Sequence, residues 1–199
     1  VTERETVRAR NRGAPQPDPP RDAADAAVPG IRREAVEAFF AAQVAGARPP
    51  LRFSLISGGR SNLTYLVEGE DGARWVLRRP PLGHVLPTAH DMAREFRVLA
   101  ALSGTDVPVA RAFALCEDPA VNDAPFYVMA WAPGVVLSDR LPAGYADAEE
   151  ERRRIGEALV ATLARVHAVD VAGVGLADFG RPDGYLERQV RRWAQQWER

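Results

Sequence analysis

The sequence predicts an α+β fold: a five-stranded antiparallel sheet with one packed helix, followed by helices that begin a second, helical lobe. Three observations carry this reading. Between Leu51 and Arg78, three short runs of alternating apolar residues are separated by glycine-containing turns, the pattern of a meander. Met92, Phe96, Leu99 and Leu102 then recur at helical spacing. Beyond Ala148 the apolar positions again follow helical spacing, and no strand pattern returns.

Residues 1–30 mix Arg, Asp, Ala and Pro without apolar periodicity and include Pro15-Gln16-Pro17-Asp18-Pro19-Pro20, which reads as a disordered extension. Glu3, Glu5, Asp18, Asp22 and Asp25 dilute its arginines and argue against a nucleic-acid arm. From Glu34 to Val44, Val36, Phe39, Phe40 and Val44 mark a short amphipathic helix, closed by Pro49-Pro50. Leu51, Phe53 and Leu55 alternate with Arg52 and Ser54, and Leu63, Tyr65 and Val67 alternate with Thr64 and Glu68, so a hairpin surrounds Gly58-Gly59. A turn at Gly69-Glu70-Asp71-Gly72 leads into a third strand, Trp75-Val76-Leu77-Arg78, which Pro80-Pro81 ends. The stretch to Pro87 is a loop, and the Met92 to Leu102 helix follows it. Arg111 to Glu117 and Phe126 to Trp131 read as two more strands, separated by a polar loop containing Pro119 and Pro125.

The order is therefore β-β-β-α-β-β, and Pro133-Gly134 breaks the last strand. A long helix at about Ala148 to Val169 carries Ile155, Leu159, Leu163 and Val166 as its expected core stripe. The last helix begins at Tyr185 and carries Leu186, Val190, Trp193 and Trp197. We divide the chain into the extension, a lobe over 31–132, and the start of a helical lobe over 133–199.

Composition narrows the chemistry. With 26 basic and 27 acidic residues in 199, the net charge of −1 implies no charge-driven partner, nucleic acid included. Every basic residue is Arg, so no lysine can serve as Schiff base, general base or phosphate ligand, and any cationic role falls to arginine. The single Cys116 excludes an intramolecular disulfide and, within Ala112-Phe113-Ala114-Leu115-Cys116, reads as a buried strand thiol. No run reaches the length of a membrane span and no signal-peptide core opens the chain, so a cytoplasmic protein is expected. His84, His90, His167 and Cys116 are too scattered for metal-ligand spacing, and no metal site is expected among these residues.

The segment Gly58-Gly59-Arg60-Ser61-Asn62-Leu63-Thr64-Tyr65 is the most chemically suggestive. Two adjacent glycines let a turn expose consecutive N–H groups to phosphate oxygens. Such a pair between strands is more often a plain hairpin turn or bulge than a phosphate loop, so its neighbours must decide.

A glycine loop in the first hairpin, a cation ending the third strand, a helix bearing a glutamate, two strands and then helices is the order of a protein-kinase amino-terminal lobe. The words GGRSNLTYLV, WVLRRPP, REFRVLAAL, FYVMAWAPG, LARVHAVDVAGVGL and GYLERQVRRWAQQW resemble the aminoglycoside phosphotransferase and choline kinase superfamily, nearest the branch fused to acyl-CoA dehydrogenases. The likeness runs from about Ala35 to Arg199. It implies a protein-kinase-like fold, ATP and Mg2+ as cofactors, and a hydroxylated small molecule as phosphate acceptor.

By position, the resemblance implies that Gly58, Gly59, Ser61 and Asn62 lie over the ATP phosphates. Arg78 falls where many kinases use Lys to hold the α- and β-phosphates, and its planar fork still offers two parallel hydrogen bonds. Glu95 is the candidate helix glutamate that pairs with this cation; the alternative is a solvent-facing charge. Arg79 alternates to the opposite face and is the less favoured phosphate ligand. In the hinge-like segment, Met129 would back the adenine while the Ala130 carbonyl and the Ala132 amide bond its edge.

Two further words are misleading. His167-Ala168-Val169-Asp170 and Asp178-Phe179-Gly180 imitate a kinase catalytic loop and its metal-binding triplet, but Asp lies three residues after His and position 175 is Gly rather than Asn. Helix termination and a loop are their expected roles. No His-Gly-Asp word with following Asn and Asp occurs in the 199 residues, so no catalytic or metal-ligating residue is assigned. The expectation is a fragment of a phosphotransferase, with Leu186, Trp193 and Trp197 left exposed. The alternative is a non-catalytic nucleotide-binding or interaction module.

Overall fold

The structure, a computed structural model, describes residues 28–56, 62–83, 90–137, 141–181 and 183–197. Its elements are α1 (Arg33–Gln43), β1 (Leu51–Leu55), β2 (Leu63–Gly69), β3 (Arg74–Arg79), α2 (Met92–Leu102), β4 (Ala112–Cys116), α3 (Pro119–Asn122), β5 (Phe126–Ala130), α4 (Glu149–His167) and α5 (Tyr185–Trp197). Five strands form one antiparallel sheet in the order β1-β2-β3-β5-β4, so β5 inserts between β3 and β4.

Alternation gives each face of the sheet its own task. On one face Phe53, Tyr65, Val67, Trp75, Leu77, Phe126 and Val128 are buried against Val36 and Phe40 of α1. Phe40 meets Phe53 and Trp75 edge-on at centroid distances of 6.3 and 6.2 Å, and Phe39 meets Phe126 at 5.0 Å. Cys116 is buried on this face, and burial pushes its thiol above the usual range. The other face is partly covered by α2, whose start is capped by the Asp91 carboxylate accepting from the Arg94 amide at 2.9 Å.

The structure departs from the sequence reading in three places. First, Val28 to Gly30, grouped with the extension, are docked on the lobe: the Tyr65 hydroxyl donates to the Pro29 carbonyl at 2.6 Å, and Arg79 donates to the Gly30 carbonyl. Gly30 has φ +78, and a Cβ there would meet Arg79, Leu82 and Tyr65, so only glycine suits the position. Residues 1–27, the rest of that extension, lie outside the described residues.

Second, the polar loop between β4 and β5 contains the helical turn α3, begun by Asp118, whose carboxylate accepts from the Ala120 amide at 2.8 Å. Third, the stripe on α4 is not a core: Leu159, Leu163 and Val166 are exposed, whereas on α5 Leu186, Trp193 and Trp197 are exposed as expected, together with Val190. Helical periodicity says which residues share a face, not what covers it. Among the described residues no element covers these faces.

Candidate functional site

Cross-strand register assembles the site. Arg78 of β3 is the direct partner of Thr64 on β2 and of Tyr127 on β5, so the three side chains form one polar row on the α2 face. One step along the strands, Leu66, Val76 and Met129 form a parallel apolar row. Glu95, in the first turn of α2, reaches over the polar row.

The Glu95 carboxylate collects three donors. Oε2 accepts from Arg78 Nε at 2.9 Å and from the Tyr127 hydroxyl at 3.0 Å, and Oε1 accepts from Asn62 Nδ2 at 2.8 Å. Asn62 is itself only 4% exposed, and its Oδ1 meets His90 Nδ1. Arg78 Nη1 also reaches Thr64 Oγ1 at 3.4 Å, while Nη2 has no hydrogen-bond partner among the described residues. The side chains of Arg78 and Glu95 are 31% and 34% exposed. A guanidinium is thus fixed in direction by an anion that is itself fixed, with Nη2 left unbonded among the described residues.

Tyr127 is 3% exposed, and burial, followed by the neighbouring carboxylate of Glu95, pushes its phenol above the usual range. It is therefore a donor to Glu95 at every ordinary pH. Arg79 is only 6% exposed on the opposite face, where it donates to the carbonyls of Pro80 at 3.2 Å, Gly30, and Asn122 at 3.5 Å. Burial lowers its pKa from the usual value. Consecutive arginines thus serve different ends, one facing a site and one bracing the fold.

The family model of the phosphotransferase enzyme family matches residues 52–199. The chain belongs to that family. It is 36% identical over 148 residues to mouse "Acyl-CoA dehydrogenase family member 10", covering 74% of this chain and 14% of the relative. It is 41% identical over 151 residues to the Arabidopsis thaliana "Probable acyl-CoA dehydrogenase IBR3", covering 73% and 18%. A solved Ralstonia eutropha structure described as "a putative aminoglycoside phosphotransferase" superposes with a TM-score of 0.67 at 37% identity, covering 83% of this chain and 46% of that one. The chain thus spans less than a fifth of the length of the two acyl-CoA dehydrogenase relatives and just under half of the solved structure.

Within this phosphotransferase lobe the expected site residues fall as follows. Arg78, Glu95 and Asn62 come together, but the Asn62 side-chain amide is committed to Glu95 rather than turned towards a ligand. Gly58, Gly59 and Ser61 lie outside the described residues. Met129 shares the sheet face of Arg78; the Ala130 amide is taken by the Arg111 carbonyl at 2.8 Å, and Ala132 is exposed beyond the strand end. Thr64, Tyr127 and His90 join the cluster without having been singled out. The signal available for Tyr127 was its alternation with Phe126 and Val128, which puts it on the Arg78 face once β3 and β5 are known to be neighbours.

His167 is the last residue of α4, and the Asp170 carboxylate closes a local turn by accepting from the Ala172 amide at 3.1 Å. Asp178 is paired with Arg97 of α2. Among the described residues no three His, Cys, Asp or Glu side chains gather closely enough to hold a metal, and no helix is long and apolar enough to cross a membrane.

Proposed function

We propose that this chain holds the nucleotide of an ATP-dependent phosphotransferase that acts on the hydroxyl of a small molecule. The observation that carries the reading is the Glu95 carboxylate, held by Tyr127 and Asn62, fixing Arg78 with its Nη2 unbonded among the described residues. The residues present fit a nucleotide. Beside the cationic row, Leu66, Val76 and Met129 supply an apolar strip suited to a flat base, with Ala130 and Ala132 at its edge. Gly58, Gly59 and Ser61 would add backbone and hydroxyl donors to the phosphates.

When bound, ATP supplies the transferable phosphoryl group, and Mg2+ screens its charge. Arg78 would hold the α- and β-phosphates, with Nη2 as its unbonded donor, Glu95 would stop the guanidinium from swinging away, and Asn62 would serve the site through Glu95. No base and no Mg2+ ligand is assigned among these residues. The names of the relatives favour a hydroxylated acyl-CoA as acceptor, with an aminoglycoside second. A cytoplasmic location suits the lone buried thiol.

Titration of the full-length protein with MgATP tests the site. Saturable binding is expected, and Arg78→Ala is expected to weaken it about tenfold or more, since a charge-assisted contact is lost. An unchanged affinity in that variant would exclude the site. ADP release is then measured with hydroxyacyl-CoA, choline, homoserine and aminoglycosides; ATP binding without release on any of them would favour the non-catalytic nucleotide-binding module.

A further inference from the structure

The turn between α4 and α5 grips the helix that carries Glu95, and the nucleotide site as described makes no use of it. Arg97 donates through Nη1 to Asp178 Oδ2 at 3.3 Å, through Nη2 to Asp178 Oδ1, and through Nη2 to the Gly175 carbonyl at 2.9 Å. The Phe179 ring lies under Arg94, whose guanidinium carbon is 3.7 Å from the ring centroid, with Arg97 at 5.8 Å. The turn is internally braced: the Leu176 amide donates to the Val171 carbonyl at 2.9 Å, and the Phe179 amide to the Leu176 carbonyl at 3.0 Å. Leu176 is buried, alone among the described residues from 147 onward.

Arg94 and Arg97 are three apart on α2 and share a face, while Glu95 between them reaches the sheet. A single exposed ion pair does little. Here a bidentate fork, a carbonyl contact and two cation–π contacts converge on one turn, and together they oppose both rotation and lift of the helix. The Arg97 hydrogen bonds also hold the Asp178 carboxyl below its usual range.

We propose that Arg94 and Arg97 are positioning residues: the Gly175–Phe179 turn clasps them, sets the rotation of α2, and so fixes Glu95 and through it Arg78 for the nucleotide. The proposal rests on the nucleotide-site reading. It makes the helical segment after β5 a determinant of ATP affinity without touching ATP.

The test uses the full-length protein with Asp178→Asn, Phe179→Ala and Arg97→Ala, and Asp178→Glu as the conservative rescue. Two quantities are measured: the Kd for MgATP, and hydrogen exchange of the α2 backbone amides. The three disrupting variants are expected to raise the Kd about fivefold each. They are also expected to speed exchange within 92–102 while leaving β1 to β3 unchanged, and Asp178→Glu should restore both. Unchanged Kd and exchange, or faster exchange spread evenly over the lobe, would overturn the proposal. If the wild-type protein binds no MgATP, the nucleotide reading falls by itself, and local exchange in α2 still decides whether the clasp holds the helix.

Discussion

Glu95 and Tyr127 set the behaviour of the site one residue at a time. Glu95→Gln keeps the shape of the side chain and removes the charge that aims Arg78. Because the pair is about one-third exposed, the fold is expected to lose no more than about 1 kcal/mol, while ATP binding weakens several-fold. Thermal melts and titration of the same sample check both halves. Tyr127→Phe keeps the buried ring but deletes one donor to Glu95, at a cost of about 1 kcal/mol near pH 7. Its pH signature is separate. The folded phenol has a raised pKa, so its contribution is whole below pH 10.0, the unperturbed value, and is lost as the pH climbs from there towards the raised one. Denaturation midpoints measured at pH 7 and above pH 10 are expected to fall less steeply with pH in Tyr127→Phe than in wild type. Tyr65 and Cys116, both also raised by burial, keep a slope of the same sign in the variant.

At the scale of the element, β3 shows how alternation separates two like residues. Arg79→Ala would leave the carbonyls of Pro80, Gly30 and Asn122 short of a donor in a buried place and open a cavity, a loss of about 2–4 kcal/mol by chemical denaturation. Arg78→Ala on the other face is expected to leave stability nearly intact and, on the proposed function, to weaken MgATP binding about tenfold or more. This split was legible in the sequence, because period two follows from the strand itself. The pairing of Arg78 with Glu95 was legible too, through the word order of the segments. Tyr127 and Asn62 were not legible as the other holders of Glu95. Their roles depend on β5 entering between β3 and β4 and on how the chain just before β2 turns towards α2, long-range facts that no local pattern contains. The docking of Val28 to Gly30 was hidden for the same reason, since its partners, Tyr65 and Arg79, lie far along the chain.

At the scale of the whole molecule, burial among the described residues is divided unevenly between the sheet and the helices after β5. The sheet and α1 enclose a continuous apolar cluster, whereas α4 and α5 have no buried residue. Trp197 is 92% exposed, and Leu159, Leu186 and Trp193 are more than half exposed. Contiguous apolar surface of this kind drives association. The 199-residue chain in isolation is expected to scatter light and bind an apolar dye at micromolar concentration, and Trp193→Glu with Trp197→Glu to reduce both. Buried Cys116 has a practical consequence for following such behaviour. A sole thiol that is shielded and reluctant to ionise reacts slowly with maleimides. A cysteine introduced at exposed Ala132, where the chain leaves the sheet, would therefore take up a fluorophore selectively and turn motion between the sheet and the helices into an optical signal.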